Sequence, residues 1–215
     1  MNNHSTTNLI RHYCNLHFQE IFDVELVNRI KFNTVAPNTF RKYVSRLVEE
    51  HVLTPISKGV YYIGPSLPDN IEQVVFNKYF DSYSCRFAKE TLLYKLGIID
   101  KKPETITFYK WWNRGNRSIY NLHIIETKGL DPIYNNIAEI LELVDCEKLV
   151  GLEDKSTYVA KLYEKLTIAR SFKFDKSLTH LYSRIVFSKL AYFLDQLHIS
   201  NKVMQDYEDY IKAAD

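Results

Sequence analysis

The chain has 215 residues, of which 46% are hydrophobic and 25% are charged; these values are typical of globular proteins and exclude disordered, collagen-like and solenoid chains. Its 28 basic and 26 acidic side chains give a formal net charge of +2, so no strong overall field selects a charged partner. The six glycines lie far apart, which excludes the glycine-rich phosphate-binding loop and the dinucleotide-binding fingerprint.

Residues 1–64 predict three short helices followed by a β-hairpin. Apolar side chains recur at helical spacing in the three windows 9–18, 26–30 and 40–48. Asp23 is predicted to cap the second helix, and Pro37 to be the first residue of the third. Two strand-like runs then flank Gly59, which can adopt the positive φ of a tight turn. This order is typical of a winged helix-turn-helix, whose third helix can enter the DNA major groove.

The segment 64–70 contains two prolines and a glycine, which is typical of a linker. We therefore predict a DNA-binding domain of residues 1–64 and a second domain of residues 71–215. In the second domain, helices are expected near 71–80 and 86–96, and the strand-like runs 105–112 and 118–125 predict a second, longer hairpin.

Three helices are predicted after Pro132, with Ser156 and Ser177 as the N-caps of the second and third. The third helix is expected to continue to about Leu197. The fold class is therefore α+β and mainly α: an N-terminal winged helix-turn-helix, followed by a larger domain with a β-hairpin or small sheet and C-terminal helices.

The polar face of the third helix is the strongest candidate site. At 100° per residue, Thr39, Lys42 and Arg46 point away from the apolar side, and other polar residues flank them. These side-chain types donate to phosphates and to purine edges. The predicted DNA contacts are Asn38, Thr39, Arg41, Lys42, Ser45 and Arg46, with Lys42 and Arg46 at the centre. The competing interpretation is an ordinary solvated face, because every amphipathic helix has one.

The predicted hairpin favours DNA over that alternative. Lys58 lies at the wing tip and is expected to bind phosphate, so helix and wing together offer two separated positive contacts to a duplex. Residues 1–64 contain seven basic and five acidic side chains, which makes this domain only weakly basic. Its affinity should therefore depend on salt and on dimeric or two-site binding.

No other cluster predicts catalysis, a metal ion or a cofactor. His12, Cys14 and His17 do not share one helical face, and no fourth ligand follows at a recognisable spacing. Cys85 has no motif that would orient a base toward it. The basic and aromatic residues around 108–120 are also used on single-stranded nucleic acid, although a packed sheet explains them as well. We expect a non-enzymatic protein.

The cysteines and the N-terminus indicate the compartment. Three widely spaced cysteines fit neither a disulfide framework nor a zinc site, which favours a reducing environment. The first residues are polar without a basic run, and no long apolar window follows, so neither secretion nor membrane contact is predicted. We therefore expect a cytoplasmic protein.

Two segments resemble the AbiEi-like antitoxins. Thr39-Phe40-Arg41-Lys42-Tyr43-Val44-Ser45-Arg46-Leu47-Val48 and Lys58-Gly59-Val60-Tyr61-Tyr62 are similar to that family's Ser-Arg-Leu-Val helix and Gly-(Ile/Val)-Tyr-Tyr wing. The likeness continues through Leu96-Gly97-Ile98 and covers about residues 8 to 150. The resemblance implies an antitoxin encoded beside a nucleotidyltransferase toxin. Its winged helix would repress the shared promoter, and its C-terminal part would counteract the toxin.

Three functions stay open at this point. The first is the DNA-binding antitoxin and autorepressor, with its own promoter DNA and the toxin as partners and with direct toxin contact undecided. The second is a stand-alone winged-helix regulator whose second domain senses a ligand or a protein. The third is an interaction module whose winged helix binds a protein and never meets DNA.

Overall fold

The computed structural model describes residues 3–112, 114–127, 135–168 and 176–214. The protein is α+β and mainly α, with two small sheets, which confirms the predicted fold class. The chain divides into two compact units, Met1–Phe80 (unit 1) and Asp81–Asp215 (unit 2). None of the described helices is both long and apolar enough to span a bilayer.

Unit 1 has the element order and sheet topology of a winged helix-turn-helix. Its elements are α1 (Asn3–Leu16), β1 (Ile21–Asp23), α2 (Val24–Lys31), α3 (Pro37–Glu49), β2 (Leu53–Ser57), β3 (Val60–Ile63) and α4 (Ile71–Tyr79). β3 lies between β1 and β2 and pairs antiparallel to both. The wing is the β2–β3 turn, where Gly59 adopts a φ of +74°. The predicted three helices and hairpin are confirmed, and β1 is an additional short strand.

Local signals explain where the helices of the winged helix begin. The Asp23 carboxylate accepts a hydrogen bond from the Leu26 N–H at 3.2 Å, so it caps α2 as predicted. Pro37 is the first residue of α3. An N–H at that position has no acceptor within the helix, so proline loses no hydrogen bond there. The Phe22 and Phe40 rings stack with centroids 6.2 Å apart and join β1 to α3 in the core.

The predicted boundary at residues 64–70 differs from the division in the structure. α4 follows that segment yet belongs to unit 1, and its side chains Ile71, Val75 and Tyr79 are buried. The Tyr79 hydroxyl donates to the buried Asp23 carboxylate at 2.9 Å. The prolines and glycine therefore mark a loop within unit 1, because the apolar side of the next helix packs with the winged helix.

Unit 2 combines a four-stranded sheet with helices. Its elements are β4 (Cys85–Phe87), α5 (Lys89–Lys95), β5 (Ile106–Lys110), β6 (Arg117–Ile119), β7 (Leu122–Glu126), α6 (Asn135–Asp145), α7 (Lys155–Ile168), α8 (Arg184–Gln196), α9 (Val203–Ala214) and two 3₁₀ helices, Cys146–Leu149 and Lys176–His180. The strand order is β4-β5-β7-β6. The core is formed by α6, α7 and α8 with α5.

The prediction of a long hairpin between 105–112 and 118–125 is wrong. β5 pairs with β7 in parallel, and the antiparallel hairpin joins β6 to β7. The run 118–125 is not one strand, because the chain reverses at Tyr120, which has a φ of +53°. β6 therefore forms part of the crossover that brings β7 alongside β5.

Two predictions for the C-terminal helices need correction. Ser156 lies inside α7, which already begins at Lys155. The long helix predicted from Ser177 is divided into the 3₁₀ helix Lys176–His180 and α8, since Ser183 between them is extended with a ψ of 163°. The expected helix start at Pro132 lies outside the described residues.

Candidate nucleic-acid interface

The first turn of α3 presents uncapped backbone N–H groups. Ala36 occupies the N-cap position and has no side-chain oxygen, so no side chain caps this helix end. The first N–H groups of a helix lack intrahelical acceptors and carry the positive end of the helix dipole. In α3 these groups belong to Asn38 and Thr39, both exposed. This end of the helix is suited to phosphate oxygens or other acceptors.

The structure places all of the sequence-predicted contacts at exposed positions. They are Asn38, Thr39, Arg41, Lys42, Ser45, Arg46 and Lys58. The opposite side of α3 supplies Phe40, Tyr43, Val44 and Leu47 to the core. Packing of this apolar side fixes the rotation of α3 about its axis. Lys42 and Arg46, which lie one turn apart, therefore both face solvent.

Weak contacts along α3 hold the polar side chains. Arg41 donates to the Asn38 side-chain oxygen at 3.2 Å, and the Arg46 guanidinium lies 5.9 Å from the centre of the Tyr43 ring. In the described part of the chain, no carboxylate pairs with Arg41, Lys42 or Arg46. Within the described residues, their positive charge is therefore not neutralised by an ion pair.

Ser45 is a weaker candidate than its neighbours. Its hydroxyl donates to the Arg41 carbonyl of the same helix at 3.1 Å. A hydroxyl used in this way keeps its acceptor lone pairs, so Ser45 can accept from a base amino group but has no donor left for phosphate.

The wing brings a separate positive charge. Lys58 lies between β2 and β3, next to Gly59, and its side chain is exposed. Because it extends from a turn rather than from α3, it can reach a phosphate that the helix does not contact.

Sequence reasoning missed two basic residues on α2. Arg29 and Lys31 lie in the last turn of that helix and are exposed. Arg29 and Arg41 line the same concave surface between α2 and α3, a cavity of about 660 Å³. The signal was present in the sequence, because Arg29 and Lys31 lie at the end of the predicted second helix, a few residues before Pro37, the predicted start of the third.

The residues considered for other chemistry are used in packing. Cys14 is fully buried whereas His12 is exposed, and burial raises the pKa of Cys14 to about 12. Cys85 is buried with its sulfur 3.5 Å from the Lys110 Nζ. In the aromatic and basic segment, Phe108 is fully buried, and the Trp112 indole donates to the Gly115 carbonyl at 3.2 Å.

Unit 2 contains a buried carboxylate that sequence reasoning also missed. Glu142 on α6 accepts hydrogen bonds from the Lys89 N–H at 2.8 Å, the Tyr109 hydroxyl at 2.9 Å and the Tyr182 hydroxyl at 3.1 Å. Burial, and then the charge of Glu142, raise the pKa of both tyrosines above 10.0, so both hydroxyls remain protonated donors. The cluster acts as a hydrogen-bonding centre of the core.

The interface on unit 1 consists mainly of donors. Guanidinium, ammonium and backbone N–H groups match phosphate oxygens and the O6 and N7 acceptors of guanine in the major groove. The chemistry of the exposed face is therefore suited to binding a polyanion. No protein-family model matches the chain, and no curated protein matches it either.

Proposed function

We propose that this chain is a DNA-binding antitoxin and transcriptional autorepressor that acts in the cytoplasm and counteracts a co-encoded nucleotidyltransferase toxin. The observation that carries the DNA-binding part is the exposure of every predicted contact on α3 and the wing, with no carboxylate paired to Arg41, Lys42 or Arg46 in the described residues. The antitoxin part depends on the resemblance of residues 8 to 150 to AbiEi-like antitoxins.

In this proposal α3 lies in the major groove of the promoter. Lys42 and Arg46 donate to base edges or phosphates, and Lys58 binds phosphate on the wing side. A protein bound across the promoter excludes RNA polymerase, which lowers transcription of its own gene and of the toxin gene. Unit 2 carries the activity against the toxin, exerted on the toxin or on the toxin's target.

A stand-alone regulator is the second candidate, and the compactness of unit 2 favours it. Unit 2 has its own extensive apolar core, as a sensing domain does. Growth assays separate the two functions. If the neighbouring gene encodes a nucleotidyltransferase that arrests growth, co-expression of the full chain should restore growth, and a stand-alone regulator should not.

The DNA contacts are tested by replacing Lys42 and Arg46 with alanine, singly and together. Loss of one base contact should weaken binding by about 1–3 kcal/mol. Loss of one phosphate contact should reduce the slope of log affinity against log salt concentration by about 1. We expect the double variant to bind its upstream DNA at least about tenfold more weakly. The measurement is fluorescence anisotropy over a series of salt concentrations.

The matched control is Lys78→Ala, because Lys78 is exposed on α4 of the same unit but lies outside α3 and the wing. This variant should bind like the parent protein. Equal affinity and equal salt dependence of the parent, the Lys42→Ala/Arg46→Ala double variant and the control would refute DNA binding through α3.

A further inference from the structure

One end of the unit 2 sheet presents two exposed aromatic side chains. The start of β4, the end of β5, the end of β7 and the start of β6 lie at this end, because β5 and β7 are parallel and their outer neighbours are antiparallel to them. We call it the sheet end. Tyr83, which precedes β4, is 73% exposed, and Trp111, which follows β5, is 54% exposed. Tryptophan is highly buried on average in folded proteins, so this exposure indicates a contact surface.

A backbone hydrogen bond brings the two rings near each other. The Trp111 N–H donates to the Ser84 carbonyl at 3.2 Å, so Trp111 lies beside the residue that follows Tyr83. Neighbouring aromatic side chains are used inside unit 2, since Phe108 is fully buried and the Trp112 indole donates to a backbone carbonyl. Packing of the sheet therefore explains those side chains but not the exposure of Tyr83 and Trp111.

The charge of the sheet end is positive. Among the described residues there, basic side chains outnumber carboxylates, with Arg86, Lys110, Arg114 and Arg117 against Asp81 and Glu126. Asp81 is paired with the Lys110 Nζ at 3.0 Å, and Glu126 accepts the Arg114 N–H at 3.1 Å. The excess of positive charge attracts phosphate groups.

Two of these cations are oriented by groups that carry no charge. The Arg86 guanidinium donates to the backbone carbonyls of Ser82 and Cys85, on either side of the exposed tyrosine. The Arg114 guanidinium lies 5.3 Å from the centre of the Trp112 ring. Such contacts orient a guanidinium group and leave its charge in place. Oriented cations therefore accompany both exposed rings.

Exposed rings among cations match a single strand of nucleic acid. Aromatic side chains stack on unpaired bases, and basic side chains bind the phosphates between them. In a duplex the bases already stack on one another, so a duplex would use the charge of the sheet end but not its rings. An acidic peptide would likewise leave the rings without a flat partner.

We propose that the sheet end binds single-stranded nucleic acid, with Tyr83 and Trp111 each stacked on a base and with Arg86 and Arg114 bound to phosphates. Every base has a flat face, so this contact should tolerate different sequences. The site belongs to unit 2 and goes beyond the proposed contacts of α3 and the wing with duplex DNA.

The site is tested by the binding of labelled oligonucleotides to the full-length protein at low salt, measured by fluorescence anisotropy. The probes are oligouridine and oligothymidine of about twelve nucleotides, within the range that a single-strand-binding domain covers. Every protein in the series carries Lys42→Ala and Arg46→Ala, so a failure here is distinct from a failure of the proposed function. Absence of binding to both probes would overturn the proposal.

Trp111→Ala should weaken binding at least about fivefold, because one base loses its stacking partner, and Tyr83→Ala should do the same. The matched control is Tyr192→Ala, which removes a ring that is 59% exposed on α8, outside the sheet end. Trp111→Phe keeps an aromatic ring and should bind within about twofold of the protein with Trp111. Equal affinities of Trp111→Ala and Tyr192→Ala would refute stacking at the sheet end.

Unlabelled competitors separate base stacking from charge. A duplex of the same length and a polyglutamate peptide carry negative charge without open base faces. Each should displace the probe at least about fivefold less effectively than the unlabelled single strand. Equal displacement by polyglutamate would assign the sheet end to an acidic protein segment and overturn the proposal. The tighter of the two probes identifies RNA or DNA as the preferred strand, and either result supports the site.

Discussion

Glu147 shows how a single carboxylate in unit 2 is held by two lysines. Its oxygens lie 2.7 Å from the Lys155 Nζ and 2.7 Å from the Lys189 Nζ. Hydrogen bonds from Lys155 and Lys189 lower the pKa of Glu147 below its ordinary value of 4.5, although partial burial opposes them. The folded protein therefore keeps this carboxylate ionised at a lower pH than the unfolded chain does.

This shift makes the stability of unit 2 depend on pH at the acidic end. Because the folded pKa is depressed, the stabilisation is complete well above pH 4.5 and is lost as the pH falls through the folded value. Glu147→Gln should lower the free energy of unfolding at pH 7 by about 1 kcal/mol, since the lysines are partly exposed and screened. The difference from the parent should vanish at low pH.

Urea denaturation of the full chain over a series of pH values measures this effect. Glu104→Gln is the control, since Glu104 is exposed and forms no ion pair among the described residues. A pH-independent difference between Glu147→Gln and the parent would contradict the assignment of the shift to Lys155 and Lys189.

At the scale of elements, Glu142 joins several parts of unit 2. From α6 it accepts bonds from the first N–H of α5, from Tyr109 on β5 and from Tyr182 just after the second 3₁₀ helix. Tyr182 has a second acceptor, the Ala138 carbonyl at 3.1 Å. One buried side chain therefore satisfies donors from elements that are distant in sequence, which is how a polar group contributes to a unique core arrangement.

Glu142→Leu should destabilise the protein strongly, because it removes the acceptor of the partly buried Lys89 N–H and Tyr109 hydroxyl. Each unsatisfied buried group costs about 1–3 kcal/mol. The free energy of unfolding, measured by urea denaturation, should therefore fall by about 3–5 kcal/mol. Glu142→Gln keeps the shape and one acceptor oxygen and should cost about 1–2 kcal/mol.

Glu139→Leu is the matched control on the same helix. Glu139 forms a partly exposed ion pair with Lys165 at 2.6 Å, so its replacement should cost less than about 1 kcal/mol. If Glu142→Leu and Glu139→Leu lowered the free energy of unfolding equally, the buried cluster would contribute no more to stability than a surface ion pair.

At the scale of the whole molecule, the protein consists of two compact units, each with its own apolar core. Unit 1 contains the winged helix and α4, which is attached through buried apolar side chains and through the bond from Tyr79 to Asp23. Asp23 also caps α2, so α4 is tied to the start of the helix that precedes α3.

A fragment ending at Phe80 should therefore be more stable than one ending at Gly64. The shorter fragment loses the buried side chains of α4 and leaves Asp23 without the Tyr79 donor. We expect its free energy of unfolding to be lower by about 2–4 kcal/mol. Urea denaturation of both fragments measures this difference, and Tyr79→Phe in the longer fragment should reproduce only about 1 kcal/mol of it. Equal stability of the fragments would contradict the assignment of α4 to unit 1.

Several features could be predicted from the sequence because they depend on local geometry. The spacing of Phe40, Val44 and Leu47 determines which side of α3 is buried, and hence that Lys42 and Arg46 face solvent. Asp23 and Pro37 mark helix starts because capping and a missing N–H act within one turn. Gly59 marks the wing turn because its positive φ is also a local property of the backbone, one that glycine adopts without strain.

Other features were decided only by contacts between distant parts of the chain. The parallel pairing of β5 with β7, the burial of Glu142 and the membership of α4 in unit 1 each depend on residues far apart in sequence. Periodicity reports which side of an element is apolar but not which element covers it. The sequence by itself therefore determined the three helices of the winged helix, the wing and the outward side of α3. The tertiary structure decided the sheet order, the unit boundary and the burial of Glu142, because these arise from long-range packing.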